Sequence, residues 1–316
     1  MIKRYIGILL SGEWISPEQH QNILEWYQSR PFSLHWELRV LLYLGVLLLT
    51  SGLSIIIYKN IDTIGHTAII FAIAASCSAC FYYCFKHRLP FETGKVSHSS
   101  PWFDYVLLLG CLLFLALEGY LQFQYSIFGT RYGLATLIPA VLFFGLAYYF
   151  DHVGVLSMAI TALASFAGIS VSPGIVIGYD ISESSLIYTG ATLSAFLIGA
   201  GFFMKERNIK RHFTFTWYNF GFNMFLISML SALFTLEMPF IYFGLLILEC
   251  LSLGRYAFRE KSFYFLVMAV IYAYIGITWA IFRMEIAWSL SLYYFVFSCA
   301  GVIWFFLNYK KLLKLK

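Results

Sequence analysis

Long apolar stretches without a charged residue constrain the fold of this chain more than any other feature of its sequence. Neither Val40 to Tyr58 nor Ser262 to Phe282 contains an Asp, Glu, Lys or Arg. A helix rises about 1.5 Å per residue, so roughly 20 apolar residues cross a hydrocarbon core of about 30 Å. Charged residues make up 12% of the chain, whereas soluble domains have about a quarter. The sequence therefore predicts an all-α, polytopic transmembrane helical bundle.

Hydropathy predicts ten spans. They are Val40 to Tyr58, His66 to Phe85, Trp102 to Gln122, Tyr132 to Phe150, Val153 to Val171, Ser185 to Met204, Phe213 to Leu236, Pro239 to Tyr256, Ser262 to Phe282, and Ile286 to Asn308. Only Asp151 and His152 separate spans four and five, and only Glu237 and Met238 separate spans seven and eight. These connections predict tight antiparallel hairpins.

Basic residues predict the orientation, because loops rich in Lys and Arg are retained in the cytoplasm. With the N-terminus inside, the cytoplasmic segments carry four, three, four, three and four basic residues, which is 18 of the 21 in the chain. Only Lys59, Arg131 and Arg283 fall on the other side. We therefore expect both termini in the cytoplasm. The net charge of +5 indicates attraction to anionic lipid headgroups, and no nucleic-acid partner is predicted.

A polar segment, residues 1–38, precedes the membrane domain of residues 39–316 and is predicted to be a cytoplasmic helical hairpin. Ser16 suits a helix N-cap, Pro17 suits the first helical position, and Gln19 suits the reciprocal partner of a capping box. Two roles are open for this hairpin. It either caps the membrane domain or docks a cytoplasmic protein partner.

The same region resembles the membrane-protein family catalogued as domain of unknown function 2157. The similarity rests on Gly12 and the turn Ile15-Ser16-Pro17-Glu18-Gln19, followed by the Leu- and Gly-rich span that includes Leu41 to Gly52. The family then carries Asn-Trp-Asp, where this chain has Asn60-Ile61-Asp62. The resemblance covers the first third of the chain. It implies a bacterial inner-membrane protein and transfers no functional residue.

Glu249 is the foremost candidate for a substrate or ion pathway. It follows Pro239 by about ten residues, which places it roughly 15 Å deep, near the bilayer midplane. An ionised side chain there costs about 2.5 to 3.5 kcal/mol, so such residues usually face the bundle interior and often serve pathways. The alternative is a protonated carboxyl group that makes one interhelical hydrogen bond.

Three further residues are weaker pathway candidates. Glu118 lies toward the outer end of span three. If the ten spans form two halves of five, Glu118 and Glu249 each fall in the third helix of their half. Asn219 and Asn223 are one turn apart in span seven. For the two amides we favour interhelical hydrogen bonding.

No catalytic residue, metal ligand or cofactor is predicted. The histidines are scattered, and the chain has no phosphate-binding glycine loop, nucleophile elbow or zincin pattern. Cys77, Cys80 and Cys84 share a helical face among small residues, which favours close helix packing over metal binding. All six cysteines are expected to be free thiols.

Small residues also dominate spans five and six, which predicts that these two helices are central. Past span five, the glycine-interrupted stretch from Ser172 to Tyr179 is expected to be an extracytoplasmic loop. A re-entrant segment is the alternative.

Three functions remain open from the sequence. We rank first a transporter or binder of a small or lipidic substrate between the spans. The second is a non-transporting scaffold that docks a partner through residues 1–38. The third is an intramembrane enzyme that acts on lipid-linked substrates through Glu118 and Glu249. A cavity that reaches Glu249 would favour transport or catalysis, whereas a close-packed bundle would favour the scaffold.

Overall fold

The computed structural model describes residues 16–21, 35–59, 65–96, 101–129, 131–171, 183–283 and 288–312. These ranges contain ten long α-helices, one helical turn at residues 17–21 and no strand, so the all-α prediction is confirmed. The helices are α1 His35–Lys59, α2 His66–Lys86, α3 Pro101–Tyr125, α4 Leu134–Phe150, α5 Val153–Val171, α6 Glu183–Glu206, α7 Thr214–Thr235, α8 Pro239–Glu260, α9 Phe263–Arg283 and α10 Trp288–Leu312. A short 3₁₀ helix, Arg211–Phe213, leads into α7.

Each of the ten predicted spans coincides with one of these helices, with ends that differ by no more than a few residues. Within the described residues, eight helices are long and apolar enough to cross a membrane. The other two helices have shorter apolar stretches. Helix α4 has 17 residues, and the apolar part of α10 is Tyr293–Phe305. The predicted count of ten thus corresponds to eight long apolar helices and two shorter ones.

The chain divides into two compact units, residues 1–55 and residues 56–316. In the first unit, Ser16 and Gln19 form the predicted capping box. The Ser16 backbone N–H donates to Gln19 Oε1 at 3.0 Å, and the Gln19 N–H donates to Ser16 Oγ at 3.2 Å. Most of the predicted 1–38 hairpin lies outside the described residues.

Consecutive helices of the second unit pack as pairs: α2 with α3, α4 with α5, α6 with α7, and α8 with α9. The two predicted tight turns are present. Asp151 ends α4 with a φ of 60°, and Met238 precedes α8 with a φ of 61°. A positive φ reverses the chain direction within a few residues, which lets adjacent helices run antiparallel. The segment from Ser172 to Tyr179, for which a re-entrant segment was an alternative, lies outside the described residues.

Two large buried cores lie side by side in this unit. The first is built mainly from α3, α4 and α5, and the second from α7, α8 and α9. Helix α7 contributes to both, with Trp217 in the first core and Tyr218, Phe222 and Leu226 in the second. It is also the most buried helix. In its most apolar stretch 44% of the residues are buried, against 22% in those of α5 and of α6. Helix α6 also reaches both cores, with Leu197 in the first and Ile198 packed against the second. The helices that touch both cores are thus α6, which was expected to be central, and α7, which was not.

Small residues nevertheless allow the close helix contacts that the sequence predicted. A Cβ added at Gly201 of α6 would lie 2.9 Å from Trp217 Cβ, and one at Gly221 of α7 would lie 2.7 Å from Ile198 Cγ1. On α3, a Cβ at Gly110 would lie 3.1 Å from Cys80 Cβ, so the cysteine face of α2 packs directly on α3. All six cysteines are free.

Candidate functional site

Glu249 lies in the middle of α8, half-buried, and lines a groove with a volume of about 510 Å³. That volume is within the range of about 300–1,000 Å³ that is usual for ligand sites. We call this feature the Glu249 groove. Its lining comes from three helices: Ala195, Ile198, Gly199 and Phe202 of α6, Tyr218, Phe222 and Phe225 of α7, and Glu249 and Tyr256 of α8.

The packing of α7 explains why a groove forms here. Helix α7 packs against both α6 and α8, so its aromatic side chains form the floor between them. Helix α6 adds little side-chain volume on its side of the groove, because Ala195 and Gly199 have little or no side chain. A Cβ added at Gly199 would meet no atom within 4 Å. The result is an apolar groove that carries one carboxyl group, that of Glu249.

A second cavity of about 280 Å³ adjoins the groove, and Tyr256 lines both. We call it the Tyr256 recess. Its other lining residues are Lys205, Arg211, His212, Thr214, Phe215, Glu260, Ser262 and Phe265. Where the groove is apolar, the recess is polar and basic.

Some polar groups that line the recess have a hydrogen-bond or ion-pair partner among the described residues, and others have none. Lys205 Nζ lies 2.7 Å from Glu260 Oε1 and 5.3 Å from the centre of the Tyr256 ring. The Thr214 hydroxyl is buried and has no hydrogen-bond partner among the described residues. No side chain caps the N-terminus of α7, which begins at Thr214.

A buried charge cluster behind the recess was not predicted from the sequence. Lys210 Nζ lies 3.1 Å from Asp151 Oδ2, and His212 Nε2 lies 2.6 Å from Asp151 Oδ1. The side chains of Lys210 and Asp151 are only 1% and 2% exposed. Each charge thus faces an opposite partner, as burial requires. A signal was available, since Asp151 and the basic segment from Lys205 to Arg211 were predicted on the same side.

The cluster also ties three connections of the bundle together. The Lys210 ammonium donates to Gly94 O at 3.0 Å, and its backbone N–H donates to Thr93 O at 2.9 Å. The Val96 N–H donates to Asp151 Oδ2. The 87–96 connection, the α4–α5 turn and the 207–213 connection therefore meet at one end of the bundle, where they hold His212 at the edge of the recess.

Glu118 occupies a different environment from Glu249. Its side chain belongs to the buried side of α3 and is 7% exposed, and neither carboxyl oxygen has a hydrogen-bond partner in the described part of the chain. Helix α3 packs against α2, α4 and α5, whereas α8 packs against α7 and α9. The two glutamates consequently lie in different parts of the bundle and do not form one site.

Asn219 and Asn223 form an interhelical network with Tyr264 of α9. Asn223 Nδ2 donates to Asn219 Oδ1 at 2.9 Å and to the Tyr264 hydroxyl at 3.2 Å, and that hydroxyl donates to Asn219 Oδ1. These contacts agree with the hydrogen-bonding role that the sequence favoured over a pathway. As for metals, no cluster of three or more His, Cys, Asp or Glu that could bind one occurs among the described residues.

Comparison with known proteins supports the membrane assignment. Residues 9–156 match the family model described as predicted membrane protein (DUF2157), which confirms the resemblance and extends it from the first third to nearly half of the chain. No curated protein and no protein of solved structure matches at a significant level. Glu118 lies inside the matched region, whereas the Glu249 groove and the Tyr256 recess lie beyond it.

Proposed function

We propose that this membrane protein, whose first half matches the DUF2157 family, binds a lipid by holding one of its hydrocarbon chains in the Glu249 groove. The observation that carries the proposal is the groove itself. It is an apolar groove between membrane helices that contains a carboxyl group at mid-helix and shares Tyr256 with a polar recess. Ionisable residues at such depth usually mark substrate pathways.

The chemistry of the lining supports a lipid over a polar solute. Of the nine lining residues, only Tyr218, Tyr256 and Glu249 carry polar side-chain atoms. A polar solute would leave most of its hydrogen-bonding groups without partners in such a groove, which is costly, whereas a lipid chain that enters from the bilayer exchanges one apolar environment for another. The Glu249 carboxyl group lies beside the path of the chain, and transport of the lipid would use the same groove.

Nothing in the described residues favours the two alternative functions. Of the segment 1–38, on which the scaffold depends, the structure describes only 16–21 and 35–38. An enzyme that uses both glutamates would need them together, whereas α3 and α8 pack against different helices. Among the three candidate functions, we therefore propose lipid binding.

Cross-linking with a photoreactive lipid tests this proposal. The full-length protein is reconstituted with phosphatidylcholine that carries a diazirine on one acyl chain, and cross-linked peptides are mapped by mass spectrometry. We expect labelling of the α6 segment from Ala195 to Phe202. Gly199→Leu fills the groove and should lower that labelling about tenfold, which corresponds to roughly 1.4 kcal/mol.

Gly145→Leu is the matched control for this experiment. Gly145 lies on α4, is exposed, and like Gly199 has no atom within 4 Å of an added Cβ. The control should leave labelling of α6 unchanged. Uniform labelling of all lipid-facing helices, unaffected by Gly199→Leu, would contradict the proposal.

We further propose ten spans with both termini in the cytoplasm of a bacterial cell, in its cytoplasmic membrane. The basic-residue asymmetry supports this orientation. The meeting of the 87–96, 151–152 and 207–213 connections at one end of the bundle supports an even number of spans between them. All three were predicted to be cytoplasmic. Reporter fusions after Lys316 and within residues 175–184 should report opposite sides, and the same side for both would contradict the topology.

A further inference from the structure

We propose that the Tyr256 recess binds the phosphate group of an anionic lipid whose hydrocarbon chain occupies the Glu249 groove. This inference rests on the proposed function and assigns the class of lipid. Arg211, Lys205 and the Thr214 hydroxyl are the groups that contact the phosphate. Three features support it: the spacing of the two cavities, the charges of the recess, and a buried hydroxyl group without a partner among the described residues.

The spacing along α8 matches one leaflet of a bilayer. Tyr256 lines both cavities, and Glu260, at the end of α8, lines the recess. Glu249 and Glu260 are 11 residues apart, which corresponds to about 16 Å along the helix axis. Half of a hydrocarbon core of about 30 Å is nearly the same length. A lipid with its headgroup in the recess would thus extend its chain as far as Glu249.

The recess has a positive charge that its own residues leave uncompensated. Lys205 faces Glu260, and His212 faces the buried Asp151. Arg211 lines the same recess, is exposed, and has no ion pair or hydrogen bond among the described residues. A guanidinium group binds a phosphate through two parallel hydrogen bonds. Arg211 is therefore the principal phosphate contact, and Lys205 can be shared between Glu260 and the ligand.

Thr214 provides a second and independent indication of an anion. Its side chain is 6% exposed, it lines the recess, and its hydroxyl lacks a hydrogen-bond partner in the described residues. A buried hydroxyl without a partner is costly, and a phosphate oxygen would accept its hydrogen bond. Thr214 also begins α7, a helix of 22 residues with no side-chain cap. The 3₁₀ helix Arg211–Phe213 precedes it, and the Thr214 N–H donates to Arg211 O, so the hydroxyl group is the donor of Thr214 that remains for a ligand.

Native mass spectrometry of the full-length protein in a neutral detergent tests the inference with three probes. Dioleoyl phosphatidic acid supplies phosphate and chains, dioleoyl phosphatidylcholine supplies the same chains with a zwitterionic headgroup, and inorganic phosphate supplies the anion alone. We expect phosphatidic acid to bind about tenfold more tightly than phosphatidylcholine, because hydrogen bonds to charged groups are the stronger ones. Inorganic phosphate should compete only weakly.

Three variants locate the headgroup. Arg211→Gln should weaken phosphatidic acid about tenfold, and Thr214→Val about threefold, as expected for the loss of one charged and one neutral hydrogen-bond donor. Arg259→Gln is the control. Arg259 is exposed on the last turn of α8 and does not line the recess, so its loss should leave both lipids unaffected.

The outcomes separate this inference from the proposed function. If both lipids bind equally and Gly199→Leu weakens both, the groove binds lipid but the phosphate site is wrong. If Gly199→Leu has no effect on either lipid, the groove proposal itself fails. Competition by inorganic phosphate as strong as that by phosphatidic acid would overturn a lipid headgroup in favour of a free anion. Equal losses in Arg211→Gln and Arg259→Gln would overturn a specific site in favour of general attraction.

Discussion

Glu118 and Glu249 each lie in the third helix of a half of five spans, yet the regions around them differ in almost every physical respect. Glu118 is 7% exposed in a closed part of the bundle, and its oxygens lack partners among the described residues. Glu249 is half-buried and faces a groove. The difference teaches that depth along a span does not define a ligand site. What distinguishes Glu249 is space beside the carboxyl group.

The carboxylate of Asp151 provides a third case for this comparison. Asp151 is as inaccessible as Glu118, at 2% exposure, but Lys210 and His212 both lie within 3.1 Å of its oxygens. Burial with partners and burial without them therefore occur in one molecule.

Loss of the Lys210 ammonium should have the largest effect on stability. Lys210→Met keeps the length of the side chain but leaves Asp151 without its closest fully buried cation. Removal of one partner from a buried ion pair typically costs about 3–5 kcal/mol. We expect that loss in the free energy of unfolding, measured by denaturant titration in mixed micelles.

Lys205→Met is the matched control, because the Lys205–Glu260 pair is partly exposed, at 25% and 43%. Exposed pairs contribute about 0–1 kcal/mol. Equal losses in the two variants would show that the Asp151 cluster has no special role in holding the three connections together.

Replacement of Glu118 should act in the opposite direction. Glu118→Leu removes two buried oxygens that lack partners, and such atoms cost about 1–3 kcal/mol. We expect the free energy of unfolding to rise by that order, with a smaller rise for Glu118→Gln, which retains polar atoms. A fall in stability for Glu118→Leu would contradict this account, because it would show that the carboxyl group makes a stabilising contact.

Glu249→Gln should have the smallest effect on stability. The side chain faces the groove and not a packed core, so we expect a change of no more than about 0.5 kcal/mol. Any proton-coupled movement of a lipid through the groove should be lost in the same variant. A loss of stability as large as that of Lys210→Met, or unchanged lipid movement, would remove Glu249 from its assigned place in the site.

Hydropathy and turn chemistry predicted most of the fold, because both are local properties of the chain. All ten apolar segments are helical, the turn at Asp151 is as short as predicted, and Ser16 and Gln19 form their capping box. That α7 is the most buried of the described helices was not predicted. Small residues indicate where backbones approach, but the burial of α7 depends on aromatic side chains that pack on two sides.

The candidate site was predicted only in part, for a related reason. Glu249 was recognised because a charge at mid-span is unusual in any context. The recess was not, because Lys205, Arg211 and Thr214 belong to a connection and a helix start that become one site only when α8 packs beside them. Pairing of Lys210 with Asp151 likewise joins residues 59 positions apart, and no local pattern encodes it.

The family match separates the same two regions in another way. It covers Glu118 and its surroundings within residues 9–156, whereas the groove and the recess are built from α6, α7 and α8. The proposed lipid site thus belongs to the half of the chain outside the match.

An experimental structure of the full-length protein in nanodiscs that contain phosphatidic acid tests the central claim most directly. We predict elongated density that begins beside Arg211 and Thr214, passes Tyr256 and ends near Glu249, with no comparable density beside Glu118. A groove that is closed by side chains, or lipid density confined to the outer surface of the helices, would contradict the account.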